Sequence, residues 1–162
     1  MGIEDSLPPR ANAPLLCWDL FLEGYYKKLE LAEDKTLLNK FAVSHQWKHS
    51  FDFDKQLFTL NNTVLVTDPG LHIVFASSNM YLMNGYHPHE VIGKKPSMFQ
   101  GPGTSIETKH LIRKAIDAVQ PFEASLVNYR KTGEAYDCFI KAYPVFSKPG
   151  LLVNFIAFEK VA

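Results

Sequence analysis

Net charge is the first thing this sequence lacks: 17 Lys plus Arg balance 17 Asp plus Glu, so charge gives no reason to expect a nucleic acid or a membrane surface as partner. Cysteine is nearly absent. Cys17 and Cys138 are the two thiols, far apart and without the spacing of a metal site or redox pair, and a reduced, cytoplasmic setting is the default expectation. No apolar run approaches the roughly 18 residues of a membrane span. Met1 to Arg10 hold acids and prolines where a leader would place a basic region before an apolar stretch, so the chain reads as soluble and unexported. Internal repeats and low-complexity tracts are also missing. What is present is apolar bulk: 162 residues, 46% of them hydrophobic, can bury a core without disulfide or metal support.

Prolines at 8, 9 and 14 with little apolar content mark residues 1–14 as a flexible lead. From Leu15 the pattern changes. Leu15, Trp18, Leu22, Tyr25 and Leu29 recur at helical spacing, and Leu37, Leu38 and Phe41 start a second stripe after Ala32-Glu33-Asp34. The spacing predicts two helices, about 15–31 and 34–48, within an N-terminal helical cap over 15–60. Helices carrying this many aromatic residues must cover something.

Residues 61–77 hold two β-branched runs around Asp68-Pro69-Gly70, a hairpin signal in which glycine would supply the positive φ. Pro88 suits a first helical position and Gly93 a helix stop. Thr104 and Glu107 fit a capping box, and Thr108, Leu111, Ile112, Ala115, Ile116 and Val119 form one face of a long helix ended by Pro121. Phe122–Arg130, Ala135–Ser147 and Leu151–Lys160 read as three strands joined by Lys131-Thr132-Gly133 and Lys148-Pro149-Gly150. Two strands, helices, then three strands make an α+β domain with one antiparallel sheet.

The run Gly93 to Thr104, with its Gln100-Gly101-Pro102 tail, resembles the flavin-site motif of light-oxygen-voltage (LOV) domains, the flavin-binding branch of the PAS family. Val66-Thr67-Asp68-Pro69, Asn84-Gly85-Tyr86, Glu90-Val91-Ile92-Gly93 and Asn128 to Gly133 follow in family order. The resemblance covers about residues 62–160, placing a PAS/LOV-like domain at 61–162. It implies a five-stranded antiparallel sheet flanked by helices, and a ligand-sized cavity between them. It also has a gap: Pro96 stands where LOV domains carry the cysteine that adds to the illuminated flavin. The resemblance therefore implies no thiol adduct at that position.

By the same resemblance, Gln100, Arg113, Asn128, Asp137 and Glu159 are the candidate cofactor-binding residues, for a flavin or another ligand. Arg113 would reach the phosphate, and Asp137 and Glu159 would stand where the family has a second asparagine and a signalling glutamine. FMN is allowed but not expected. Its ring edge presents an N–H between carbonyl acceptors, and an ionised Glu159 offers those carbonyls no donor. Glu159 and Asp137 facing solvent at the sheet edge is the plainer alternative. A haem site at His110 is disfavoured because that residue points away from the apolar face, and His45 and His49 lack a third ligand at metal spacing. No nucleophile or metal accompanies the carboxylates, so no catalytic residue is assigned. The expected role is a sensory or regulatory module, a homodimer coupled to an effector domain or regulator protein, with transcription regulation among the outputs. An FMN-binding sensor without adduct chemistry and a ligand-free dimerisation scaffold, shut by Met98, Phe99, Phe139 and Phe155, are the alternatives. Neither nucleic acid nor membrane contact is expected from this segment.

Overall fold

A computed structural model describes residues 15–162; the lead expected over 1–14 lies outside them. Helix α1 spans Leu15–Ser44 without a break, where the sequence pattern predicts two helices. Ala32, Glu33 and Asp34 include no Gly or Pro, and Asp34 costs a helix only a few tenths of a kcal/mol. Its side chain has a long-range use. Asp34 is buried and one carboxylate oxygen, Oδ2, accepts both the backbone N–H and the hydroxyl of Ser78, each at 2.7 Å. Burial raises its pKa and the two Ser78 donors oppose that rise. Asp34→Ala should lower stability by about 1–3 kcal/mol, since two inward donors lose their acceptor. Asp34→Asn, which keeps an acceptor, should cost less. Urea midpoints test this, and an unchanged midpoint for the alanine variant would discount the contact.

The strands are β1 (Thr63–Thr67), β2 (Ile73–Ala76), β3 (Phe122–Tyr129), β4 (Ala135–Phe146) and β5 (Leu152–Val161). They form one antiparallel sheet in the order β2-β1-β5-β4-β3. The first and last strands lie side by side, with Thr63 opposite Glu159 and Thr67 opposite Phe155. Gly133 and Gly150, at φ +89° and +95°, turn the two hairpins that join β3 to β5. In the β1–β2 turn the left-handed residue is Leu71 (φ 67°), not Gly70. The Asp68 carboxylate accepts the His72 N–H at 2.8 Å and so widens the turn by a residue.

Both sheet faces are covered, which is why all five residues of β1 are buried. On the outer face, Leu38, Trp47, Phe53 and Leu57 pack on Val64, Val66, Val145, Ile156 and Phe158. Leu57 belongs to a π-helical turn, Lys55–Thr59. Residues 46–48 take up the edge of β4 beyond the end of β3: Lys48 N–H donates to Phe146 O and Lys148 N–H to Gln46 O, both at 2.8 Å. Pro144 lies in that stretch, past the last β3 partner at Ala142, where its missing N–H breaks no β3–β4 bond. On the inner face lie α2 (Met80–Asn84), α3 (Pro88–Val91), a 3₁₀ turn (Pro96–Phe99) and α4 (Ile106–Asp117). Met80, Val91 and Phe99 pack there on Leu65, Ile73 and Ala76.

Two details of α4 differ from expectation. Ser105, not Thr104, caps it, accepting the Thr108 N–H at 3.2 Å. Thr104 is buried and its hydroxyl donates to Val127 O at 2.6 Å, tying the loop to edge strand β3. Leu111 is exposed, so the covered face is Ile112, Ala115, Ile116 and Val119. Among the described residues no helix is long and apolar enough to cross a membrane.

The halves of α1 differ. At 3.6 residues per turn, Leu31, Asp34, Leu38 and Phe41 share the side that meets the sheet, while Trp18, Leu22, Tyr25 and Leu29 lie nearly opposite. Those four are 63%, 40%, 52% and 44% exposed.

Candidate ligand cavity

Strand alternation decides which residues can meet between sheet and inner helices. On β3, Phe122, Leu126 and Asn128 point inward; on β4, Ile140 and Ala142; on β5, Phe155, Ala157 and Glu159. With Leu65 and Thr67 of β1, Leu71, Pro96, Phe99, Gln100, and Ile112 and Ile116 of α4, they enclose a cavity of about 100 Å³. Leu71 reaches it from a left-handed backbone that a leucine rarely adopts.

One end of the cavity is polar. Glu159 is 3% exposed, and its Oε2 faces the thiol of fully buried Cys138 at 3.8 Å. Burial drives the Glu159 carboxyl up to about 7, partly offset by the thiol contact. Burial also pushes the Cys138 thiol and the Tyr136 hydroxyl upward, with Glu159 adding to both, so neither ionises readily. Three buried polar atoms at this end have no hydrogen-bond partner, Asn84 Nδ2, Asn128 Oδ1 and Tyr136 OH; a fourth, Thr67 Oγ1, lies farther along the cavity, where β1 faces Phe155. Unpaired buried groups are uncommon and cost about 1–3 kcal/mol each. The Arg130 guanidinium lies 4.8 Å over the Tyr136 ring and donates to Met83 O, closing this end on one side.

Gln100, Asn128 and Glu159 thus line one cavity, but Arg113 and Asp137 do not. Arg113 projects to solvent from the far side of α4, with Nε 3.0 Å from Asp117. Asp137 is exposed because it pairs with Val127 on the outer face. Its inward neighbour Cys138 takes the place meant for the second amide. Glu159 is buried, contrary to the solvent-facing alternative. Phe139 also lies outward, against the Lys160 ammonium at 5.7 Å, so it cannot help to shut the cavity; Phe99 and Phe155 do line it. His110 is exposed on α4. Thr67, Asn84, Tyr136 and Cys138 are the site residues missed from sequence. Period-two counting from Asn128 through the Gly133 turn would have found Tyr136 and Cys138.

These residues do not fit a complete flavin nucleotide. Ligand pockets commonly offer ~300–1,000 Å³, the lining holds no basic side chain for a phosphate, and an acid stands at the polar end.

Residues 61–160 match the family model described as PAS domain. The chain is 36% identical over 120 residues to Protein TWIN LOV 1 of Arabidopsis thaliana, covering 72% of this chain and 30% of that protein. It is 34% identical over 97 residues to a blue-light-activated histidine kinase of Brucella anthropi, covering 58% of this chain and 20% of that one. The chain therefore spans less than a third of the length of these relatives. Among solved structures, a light-oxygen-voltage domain studied with a flavin analogue superimposes with a TM-score of 0.63 at 25% identity, over 70% of this chain and 86% of that one. The dark structure of the Aureochrome1 LOV domain gives a TM-score of 0.63 at 24% identity, over 71% and 86%, a likeness of fold.

Proposed function

The chain belongs to the PAS domain family, and from that premise we propose that it is a non-catalytic sensory module of the LOV type, in which the state of the cavity is passed to an effector through a homodimer held by α1. The observation that carries this reading is the two-sidedness of α1. One side is fixed to the sheet through Leu38 and Phe41, and the other presents Trp18, Leu22, Tyr25 and Leu29 to solvent. Spacings of four, three and four residues are those of a coiled-coil seam. In a parallel pair in register, Lys28 would fall at a g position and Glu33 at the partner's e position, an attractive match. Aromatic anchors of this kind supply much of the energy of protein interfaces.

Cavity and seam are joined by a physical route. Ser78, bonded to Asp34 of α1, precedes α2, whose Met83 and Asn84 abut the polar end. The absence of catalysis rests on Glu159, the acid of the cavity, having only a thiol and unpaired neutral groups around it. A second reading, a flavin-binding sensor that forms no adduct, is favoured by Gln100 and Asn128 lining the cavity as the family pattern requires, and needs the cavity to open well beyond its present volume. An absorption spectrum of the purified protein separates the two, because bound flavin is coloured.

Sedimentation velocity tests the dimer. The parent should sediment as a dimer, and Leu22→Glu with Tyr25→Glu should convert it to a folded monomer, shifting the self-association constant by more than a hundredfold. A monomeric parent, or a double variant that still dimerises, would overturn the reading.

A further inference from the structure

We propose that the cavity takes a small, neutral, single- or fused-ring compound bearing one N–H or O–H donor, of the size of a phenol or an indole, rather than a flavin nucleotide. This rests on the reading of the cavity as the sensory input and names its ligand class. Size is the first argument. An apolar cavity near 150 Å³ holds benzene in another protein, and the space here is about 100 Å³, so a single ring enters with modest rearrangement and a fused pair the size of indole with a larger one. Chemistry is the second. Leu65, Phe99, Ile112, Leu126 and Phe155 give it apolar walls, with no cation among the lining residues to hold a carboxylate or phosphate.

The polar end sets the ligand's one polar group. Asn128 is 3% exposed and its Oδ1 has no partner; Thr67 is 6% exposed and its Oγ1 has none either. Both line the cavity, Asn128 at the end that holds Cys138 and Glu159, Thr67 four residues farther along the sheet, opposite Phe155. An amide oxygen can only accept, so the group that completes it must be a donor. A ligand with an acceptor alone leaves Asn128 unsatisfied and sets its lone pairs against those of Oδ1. An anion would meet the Glu159 carboxyl and the Asn128 oxygen with no compensating charge. A plain hydrocarbon would fill the walls but leave Asn128 Oδ1 buried and unpaired.

Titration calorimetry with indole, phenol, toluene and FMN tests the class. Indole and phenol should bind about tenfold tighter than toluene, the contribution of one buried hydrogen bond. Asn128→Leu should erase that difference. Ala157→Leu, which fills the cavity from β5, should abolish binding of all three rings, with its circular dichroism spectrum checking the fold; it keeps the test sound where the Asn128 variant fails to fold. Toluene binding as tightly as indole to the parent would overturn the donor requirement. FMN binding while the rings do not would overturn the ligand class and leave the sensory reading standing. If none of the four binds and Ala157→Leu leaves self-association unchanged, both the class and the cavity's sensory role fall.

Discussion

Glu159→Gln should raise stability at pH 8 by about 3 kcal/mol and leave it nearly unchanged at pH 4. The carboxyl is buried and held at about 7 in the fold against an ordinary 4.5, and each pH unit of displacement is worth about 1.4 kcal/mol. The folded state keeps its proton where the unfolded state releases it. The contribution of Glu159 is therefore fully present below about pH 4.5, is lost as pH rises toward and through about 7, and is constant above that. Glutamine has the same shape and no proton to lose, so its variant should lack this slope. At ~2–4 °C per kcal/mol for a chain of this size, the melting temperatures should separate by about 6–12 °C at pH 8 and converge in acid. Parallel melting curves across pH 4–8 would show that Glu159 ionises at no cost.

Trp47→Ala should cost about 4 kcal/mol in urea unfolding, whereas Trp18→Ala should cost almost nothing in the unfolding of one chain. Trp47 is 6% exposed, packed among Leu38, Phe53 and Val145, and truncating a buried tryptophan removes ~3–5 kcal/mol. Its indole N–H also donates to Asn154 Oδ1 at 2.9 Å. The amide of Asn154 in turn donates to Thr67 O at 3.0 Å, so the loss reaches a strand that lines the cavity. Trp47→Phe, which keeps an aromatic ring and drops the N–H, should recover about half. Trp18 is 63% exposed and, among the described residues, its aromatic contact is with Phe21 one turn along the same helix; its truncation should instead weaken self-association. Equal destabilisation by the two alanine substitutions would mean that both halves of α1 pack within one chain.

Most of the architecture was legible because it follows from local rules. The β3 to β5 spans agree with the sequence reading to within a residue or two, since Gly133 and Gly150 mark turns that only a left-handed residue makes easily. The errors came where a distant partner overrode a local preference. Asp34 looked like a break because its partner, Ser78, lies 44 residues away. Thr104 looked like a cap because its hydroxyl is spent on Val127, across the sheet edge. The site was half legible. Asn128 and Glu159 lie on strands whose inward side is fixed by apolar neighbours, but Asp137 was placed one residue out of phase, and in a strand one residue exchanges inside for outside. Helix spacing says which side chains share a side with Leu29, not that Leu31 begins a different one facing the sheet.

The bond between Asp34 and Ser78 has a mechanical meaning. It holds α1 near its middle, so the helix is a lever with a short arm clamped to the sheet and a long arm in solvent. From Asp34 to Trp18 is 16 residues, about 24 Å at ~1.5 Å per residue, and a tilt of about 10° at the fulcrum carries the tip about 4 Å. A shift of the Ser78 backbone, as when α2 adjusts to the contents beneath it, moves this hold directly, and the longer arm in solvent magnifies whatever tilt results. In the proposed homodimer, two such levers joined at their tips would turn a movement at the cavity into a change in how two chains are held apart.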